Sequence, residues 1–139
     1  MTETFTAEVD AWVRKTEQRM KFVTRESTKR LIQRASRTAP GKMRGGEVKV
    51  GFVPRDTGFL AASLMSTLFG STILTRIGED SYSFVVAGME AGDVATFIWT
   101  AAYARRVHYE GGWLWVDDAA ANWQPTVRQV SIEARARVR

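Results

Sequence analysis

One long helical pattern near the amino terminus constrains this chain more than any other feature. Apolar or small residues recur at steps of three and four over residues 6–38, which marks one face of an α-helix. The members of this face are Phe5, Val9, Trp12, Thr16, Met20, Val23, Ser27, Leu31 and Ala35. Thr6 is a suitable N-cap, and Pro40 disfavours helical geometry at Ala39. A rod of roughly 50 Å is long for so small a chain, so part of it is expected to pack on something outside its own core.

The remaining patterns predict an α+β fold in a single domain of residues 1–139. Residues 47–88 are expected to hold a small antiparallel sheet and a short apolar helix. The predicted strands are 47–53, with Val48, Val50 and Phe52 on one face, 67–78 and 82–88. Gly78-Glu79-Asp80 would form the hairpin turn between the last two strands.

Two further helices are expected after the sheet. The first covers residues 93–110, and the second covers residues 117–137. The aromatic segment WLWV, residues 113–116, is expected to be extended between them. Pro125 lies inside the last helix and must kink or restart it, with Asn122 as a candidate second cap.

Composition excludes several kinds of chemistry. The chain has no cysteine and one histidine, His108, so it has no disulfide framework and is a poor candidate for zinc binding. No apolar run approaches the roughly 18 residues of a membrane span, and the acidic, polar start is not a secretory signal. The sequence therefore predicts a soluble protein made in a cytoplasm, with no cofactor, no metal and no membrane partner.

The net charge of +5 is unevenly distributed along the chain. Residues 11–50 carry twelve Lys or Arg against three acids, whereas residues 79–118 carry seven acids against two Arg. Such asymmetry suggests a polyanion partner, complementary contacts between copies of the protein, or a solvated basic helix face. The candidate contact residues on the first helix are Arg25, Lys29, Arg30 and Arg34.

Nucleic-acid binding by this basic helix is the alternative function. Phosphate contacts by its Lys and Arg side chains would give an affinity that falls steeply with salt. The basic pattern alone is unspecific, because no helix-turn-helix, zinc finger or similar module accompanies it.

Asp56-Thr57-Gly58 has the signature triplet of aspartic proteases. Such a protease needs two carboxylates that share a proton within an all-β fold. Here Pro54-Arg55 precedes the triplet and helices are expected over more than half the chain, so catalysis is not expected. In the structural interpretation, the Asp56 carboxylate accepts the N–H groups of Gly58 and Phe59 and caps a short helix, and Gly58 permits an unusual φ.

Three segments, in this order, resemble the tail-completion family of long-tailed bacteriophages, whose members are tail-to-head joining or tail-terminator proteins. The matching residues are Pro54, Asp56, Thr57, Gly58, Phe59, Leu60 and Ser63, then Tyr103, Ala104, Tyr109, Glu110 and Gly111, then Val116, Ala119, Ala120 and Trp123. The chain departs from the family pattern at Arg55, where Val or a similar residue is common, and at Ala61, where Arg is common.

The resemblance implies a structural virion protein and no enzymatic activity. Family members form rings, commonly hexamers, at the top of the tail tube and link it to the connector on the head side, with DNA passing through the lumen. The implied partners are other copies of the chain, the connector or head-closure protein, the tail-tube protein and DNA. The implied location is the neck of the virion.

The tryptophans are the residues most suited to anchoring contacts between ring subunits. A ring requires two different complementary surfaces on each subunit, and Trp is enriched where binding energy concentrates. Trp113 and Trp115 are the candidate interface residues, and alternation along an extended segment would place one in the core and the other at an interface. Trp12, Trp99 and Trp123 lie on apolar stripes and are expected in the core.

Overall fold

The computed structural model describes residues 2–42 and 45–138, with side chains from Phe5 onward. It has the α+β architecture expected from the sequence, with a long first helix, a small antiparallel sheet and further helices. The first helix, α1, runs unbroken over Thr2–Ala35. Both of its ends come earlier in the chain than predicted, so Thr6 lies inside the helix and is not its cap.

The helix ends early because the next residues pair with a distant part of the chain. Strand β1, Thr38–Pro40, lies parallel to β2, Val53–Arg55. The predicted strand 47–53 is wrong except for Val53, since residues 47–52 are irregular. Gly51 has a φ of 92°, a left-handed conformation that interrupts the alternating pattern before it reaches β2.

The main sheet has three antiparallel strands in the order β4–β3–β5. They are β3, Leu64–Phe69, β4, Ile73–Ile77, and β5, Val94–Trp99. The hairpin turn lies at residues 70–72, so it divides the predicted 67–78 strand in two, and Gly78-Glu79-Asp80 follows β4 instead.

Two predicted elements have the opposite secondary structure. Residues 82–88 form helix α3, Tyr82–Gly88, which packs Val85 against Leu68 of β3. In α3 the adjacent residues Val85 and Val86 are both buried, whereas a strand would have placed them on opposite faces. The predicted helix 93–110 begins as strand β5, and only α4, Ala104–Tyr109, is helical.

The remaining helices are short, apart from the last. Helix α2, Phe59–Ala62, precedes β3, and α5, Trp115–Ala121, is followed by α6, Trp123–Arg137. The expected restart at Asn122 is confirmed, although its side chain does not cap α6. The amide of Asn122 donates instead to the carbonyl of Asp118 at 2.9 Å, which closes the end of α5.

The helices pack on one side of the sheet, which is called the inner face. Ile32 and Ala35 of α1 pack with Leu64 of β3, and Val85 of α3 packs with Leu68. Within the described residues, no helix is both long enough and apolar enough to cross a membrane.

Candidate assembly surfaces

The Asp56-Thr57-Gly58 triplet forms the corner between β2 and α2. Gly58 has a φ of 83°, which confirms the expected unusual backbone conformation. The predicted Asp56 cap is wrong, because the N–H of Phe59 donates to the hydroxyl of Thr57 at 3.3 Å and no side chain caps α2 from the Gly58 position. Asp56 is exposed, and the preceding Arg55 forms an ion pair with Glu79. The triplet therefore shapes a turn.

The first two of the three segments that carry the family resemblance come together in one core cluster, whereas Ala119 of the third segment lies in a second cluster with Ile32 and Leu64. The buried members of the first cluster are Ala39, Val53, Leu60, Ala61, Ala101, Ala104, Val107, Trp113 and Trp115, with Phe52, Trp99 and Tyr103 packed against them. Tyr103 also meets Phe59, with ring centroids 6.1 Å apart. The first two segments thus pack together through the corner at β2 and helix α4, beside the indoles of Trp113 and Trp115.

Two small motif residues have specific backbone roles in this cluster. The carbonyl of Ser63 accepts hydrogen bonds from the backbone N–H of Thr100 at 2.9 Å and from its hydroxyl at 2.8 Å, which ties the end of α2 to the end of β5. At Gly111, a Cβ would lie 2.5 Å from the backbone carbonyl oxygen of Val107. Only glycine permits this approach without a backbone shift.

Some motif residues also border an open groove of about 660 Å³. Asp56, Tyr103, Arg106 and Glu110 line it, together with Lys42, Gly45, Val107 and Gly111. Tyr109 lies outside the groove and is exposed, with the Arg105 guanidinium 5.4 Å from its ring centroid. Within the described parts of the chain, no three acidic or histidine side chains gather as a metal site.

Trp113 and Trp115 are both core residues, each 1% exposed. The prediction that one of them would face an interface is wrong, because the segment is not extended. Leu114 between them has a φ of 47°, which reverses the alternation and turns both indoles inward. Trp113 covers Gly41, and Trp115 meets the ring of His108 edge-on at 4.8 Å.

His108 is a buried histidine that supports the start of α5. Its side chain is only 4% exposed, and Nε2 accepts the backbone N–H of Val116 at 3.1 Å. The ring is therefore neutral in this arrangement, with its proton on Nδ1. Burial lowers the pKa of His108 below its ordinary value, and the nearby Asp117 carboxylate opposes the effect more weakly.

Acidification is expected to destabilise the protein through His108. The folded pKa lies below the ordinary value of 6.5, so the unfolded chain binds more protons between these two values. The contribution of His108 to the free energy of unfolding is complete above pH 6.5. It is lost as the pH falls through the pKa of His108 in the folded protein. Urea unfolding at a series of pH values should show the free energy of unfolding of the wild type falling in this window, and that of His108→Gln falling less steeply. Equal slopes for the two proteins would contradict this role.

The basic residues of α1 are largely paired within the chain. Arg25 donates from Nε to the carbonyl of Met89 at 2.6 Å and also pairs with Glu90. Arg34 donates from Nε to Asp118 at 2.8 Å, and Arg37 reaches the same carboxylate at 3.2 Å. The opposite charges of residues 11–50 and 79–118 thus form ion pairs within the chain.

Arg30 and Lys29 complete this basic face of α1. Arg30 bridges Glu26 and Glu133, and the hydrogen bond to Glu133 raises the pKa of the guanidinium while lowering that of the carboxyl. Lys29 is exposed to solvent. Arg25, Arg30 and Arg34 are therefore better described as fold-stabilising residues than as free interface residues.

The amino-terminal half of α1 projects beyond the rest of the described protein. Every residue from Phe5 to Lys15 is exposed, and contacts with the body begin near Arg19, which donates to the carbonyl of Val138 at 2.7 Å. Residues 2–18 are called the helical arm. Its apolar stripe consists of Phe5, Val9, Trp12 and Val13, which are 68%, 42%, 66% and 38% exposed. The prediction that Trp12 lies in the core is therefore wrong.

The side of the sheet opposite the helices also exposes large apolar side chains, in two rows separated by a row of threonines of which Thr67 is buried. Register places three rows of residues there, and the Thr67–Thr75 hydroxyl contact at 3.2 Å confirms that these side chains share a face. The rows are Ile77–Met65–Ile98, Thr75–Thr67–Thr96 and Ile73–Phe69–Val94. This surface is called the outer sheet face. This face was not predicted from the sequence, although the Ile73-x-Thr75-x-Ile77 alternation in β4 indicates a strand with apolar residues on one side.

The two remaining tryptophans, Trp99 and Trp123, differ in burial. Trp99 is partly buried and packs on the core, as expected, with its ring 5.9 Å from that of Trp115. Trp123 is 39% exposed and borders an apolar groove beside Phe97, so its predicted place in the core is wrong.

Comparisons with protein-family models, curated proteins and solved structures found no match to this chain.

Proposed function

We propose that the protein is a structural subunit of a bacteriophage neck. In this role it forms a ring that joins the tail tube to the head connector, and DNA passes through the lumen. The protein acts by assembly and has no catalytic activity. The ordered resemblance of three segments to tail-completion proteins suggests the role, and the packing of the first two segments into one core suggests that they specify a fold and not a reactive site.

One observation carries the proposal, the presence of two uncovered apolar surfaces of different shape on one small subunit. The helical arm and the outer sheet face have no covering element within the described residues. Both surfaces expose several large apolar side chains, and grouped exposure of this kind marks association sites. Two unlike surfaces permit head-to-tail contacts, which close a ring when the rotation between subunits allows it.

Nucleic-acid binding by α1 remains the alternative proposal, but internal pairing weakens its support. Arg25, Arg30 and Arg34 already bind carboxylates or carbonyls of their own chain. Binding of DNA would have to compete with these partners. The exposed Arg14, Lys15 and Lys29 are the basic residues of α1 that suit this function best.

The mass of the purified protein in solution tests the proposed function. Light scattering is expected to show a closed oligomer near a hexamer, and negative-stain images of the same peak should show rings with a central opening. Assembly should not require DNA, whereas added tail-tube or connector protein should bind the rings.

Two results would count against this function. A discrete dimer whose DNA affinity falls steeply with salt would favour nucleic-acid binding. A species that neither closes into rings nor binds the connector or tail-tube protein would exclude the neck role.

A further inference from the structure

We infer that the helical arm of one subunit packs across the outer sheet face of a neighbouring copy. This inference rests on the proposed function, since it names the two surfaces through which the ring would close. The apolar stripe of the arm, Phe5, Val9, Trp12 and Val13, would meet the three rows of the outer sheet face. Each subunit would then give its arm to one neighbour and receive the arm of another.

The arm cannot cover the outer sheet face of its own subunit. Helix α1 lies against the inner face of the sheet, where Ile32 packs with Leu64 and Arg25 binds the carbonyl of Met89. The helix is continuous over Thr2–Ala35, so the arm follows the same axis away from the body. A helix fixed on one side of a sheet does not reach the other side without breaking. The occupant of the outer sheet face must therefore come from elsewhere, and a second copy brings a suitable one.

The two surfaces match in chemistry and in length. Neither the stripe of the arm nor the three rows of the sheet contain a charged side chain. The stripe from Phe5 to Trp12 is roughly 10 Å long at the helical rise per residue. The outer sheet face is roughly 14 Å long and 10 Å wide, from the strand rise and spacing. The stripe therefore fits on the face without placing a charge in the contact.

The area available for burial reaches the lower limit of a specific interface. The two aromatic residues of the arm, Phe5 and Trp12, are 68% and 66% exposed, and Ile73 and Ile77 of the sheet are 73% and 68% exposed. Each surface offers on the order of 500 Å² of accessible apolar area, given the size of such side chains. The contact would cover on the order of 1,000 Å², which is where specific protein interfaces begin.

Two charged variants test the pairing of these surfaces. Trp12→Glu blocks the arm and leaves the outer sheet face intact, whereas Ile73→Glu blocks the face and leaves the arm intact. Each variant alone should be a folded monomer, with association weakened by at least roughly 30-fold, as for loss of a binding hot spot. An equimolar mixture should form a heterodimer, because the arm of the Ile73→Glu subunit can still bind the sheet of the Trp12→Glu subunit.

Matched controls place the same charge outside the two surfaces. Ala11→Glu lies on the side of the arm away from the stripe, and Ile132→Glu replaces an isoleucine of α6 that is 55% exposed. Both control variants should assemble like the wild type. Circular dichroism and melting temperature should show that all four variants are folded.

Other outcomes would overturn the inference, and each has its own signature. Self-association of Ile73→Glu would indicate that arms pair with arms, and self-association of Trp12→Glu would indicate that sheets pair with sheets. A wild type that is monomeric at its highest soluble concentration would also overturn it. If wild-type rings form and survive both variants, the neck function stands and this inference fails. If the heterodimer forms but the wild type gives open chains that do not join the tail tube, this inference stands and the neck function fails.

Discussion

Replacing Trp115 with alanine is expected to lower the free energy of unfolding by about 3–5 kcal/mol, the range for deleting a buried aromatic side chain. Trp115 is 1% exposed and packs edge-on against both Trp99 and His108. Its removal would leave a cavity where the motif segments meet. Urea unfolding followed by circular dichroism measures the loss without depending on tryptophan fluorescence.

The matched control is Trp12→Ala in the helical arm. Trp12 is 66% exposed, so its loss should change the stability of the isolated subunit by no more than about 0.5 kcal/mol. The measurement is made at concentrations where the subunit is monomeric, because assembly would add its own stabilisation. Similar losses for the two variants would contradict the assignment of Trp115 to the core and Trp12 to the surface.

Replacing Asp118 with alanine is expected to cost about 2 kcal/mol of unfolding free energy. Asp118 accepts two hydrogen bonds from Arg34, at 2.8 and 3.3 Å, and one from Arg37 at 3.2 Å. A hydrogen bond to a charged group contributes about 1.5–3 kcal/mol to the free energy of unfolding, and this contribution is lost when the partner is removed. The two guanidinium groups are 39% and 36% exposed, so water partly replaces the lost carboxylate, and the larger cost of breaking a fully buried pair does not apply.

Asp117→Ala provides the control for this second prediction. Asp117 lies in the same first turn of α5 and has the same interaction with the helix dipole, but its side chain is 54% exposed. Its replacement should cost well under half as much as that of Asp118. The difference between the two variants in chemical denaturation isolates the contribution of the arginine contacts. Equal costs would show that those contacts add nothing beyond the dipole.

The long helix could be predicted because its signal is local, whereas its ends could not. A stripe with helical spacing is visible in the sequence, and α1 follows it. The carboxyl-terminal boundary depends on β1 pairing with β2, a contact between residues far apart in the chain. An amphipathic stripe also does not reveal whether the element that packs on it belongs to the same chain. Trp12 was therefore expected in the core, although every residue of α1 from Phe5 to Lys15 is exposed.

The exchange of helix and strand in the middle of the chain has a similar cause. The segment from Val94 to Trp99 has apolar residues that satisfy both a helical and an alternating period, and pairing with β3 decides between them. The segment from Tyr82 to Gly88 is rich in residues that favour strands, yet it becomes α3, which buries both Val85 and Val86.

The candidate site could be predicted in part. Gly58 was assigned an unusual backbone conformation from its place in the triplet, and this is confirmed. The N–H of Phe59 donates to the hydroxyl of Thr57 and not to the carboxylate of Asp56. Spacing in the sequence does not decide between two adjacent oxygen acceptors. Leu114 adopts a left-handed conformation that its residue type does not signal, and this one dihedral angle moved an expected interface tryptophan into the core.

The continuity of α1 gives one helix two very different local stabilities. Around Ile32, backbone amides are held by the packed core, and their hydrogen exchange requires an opening close to global unfolding. In the arm, every residue from Phe5 to Lys15 is exposed, so amide exchange there requires only a local opening of the helix. Amide hydrogen exchange along α1 is therefore expected to slow from Phe5 towards Ile32, although one continuous helix axis links the two regions.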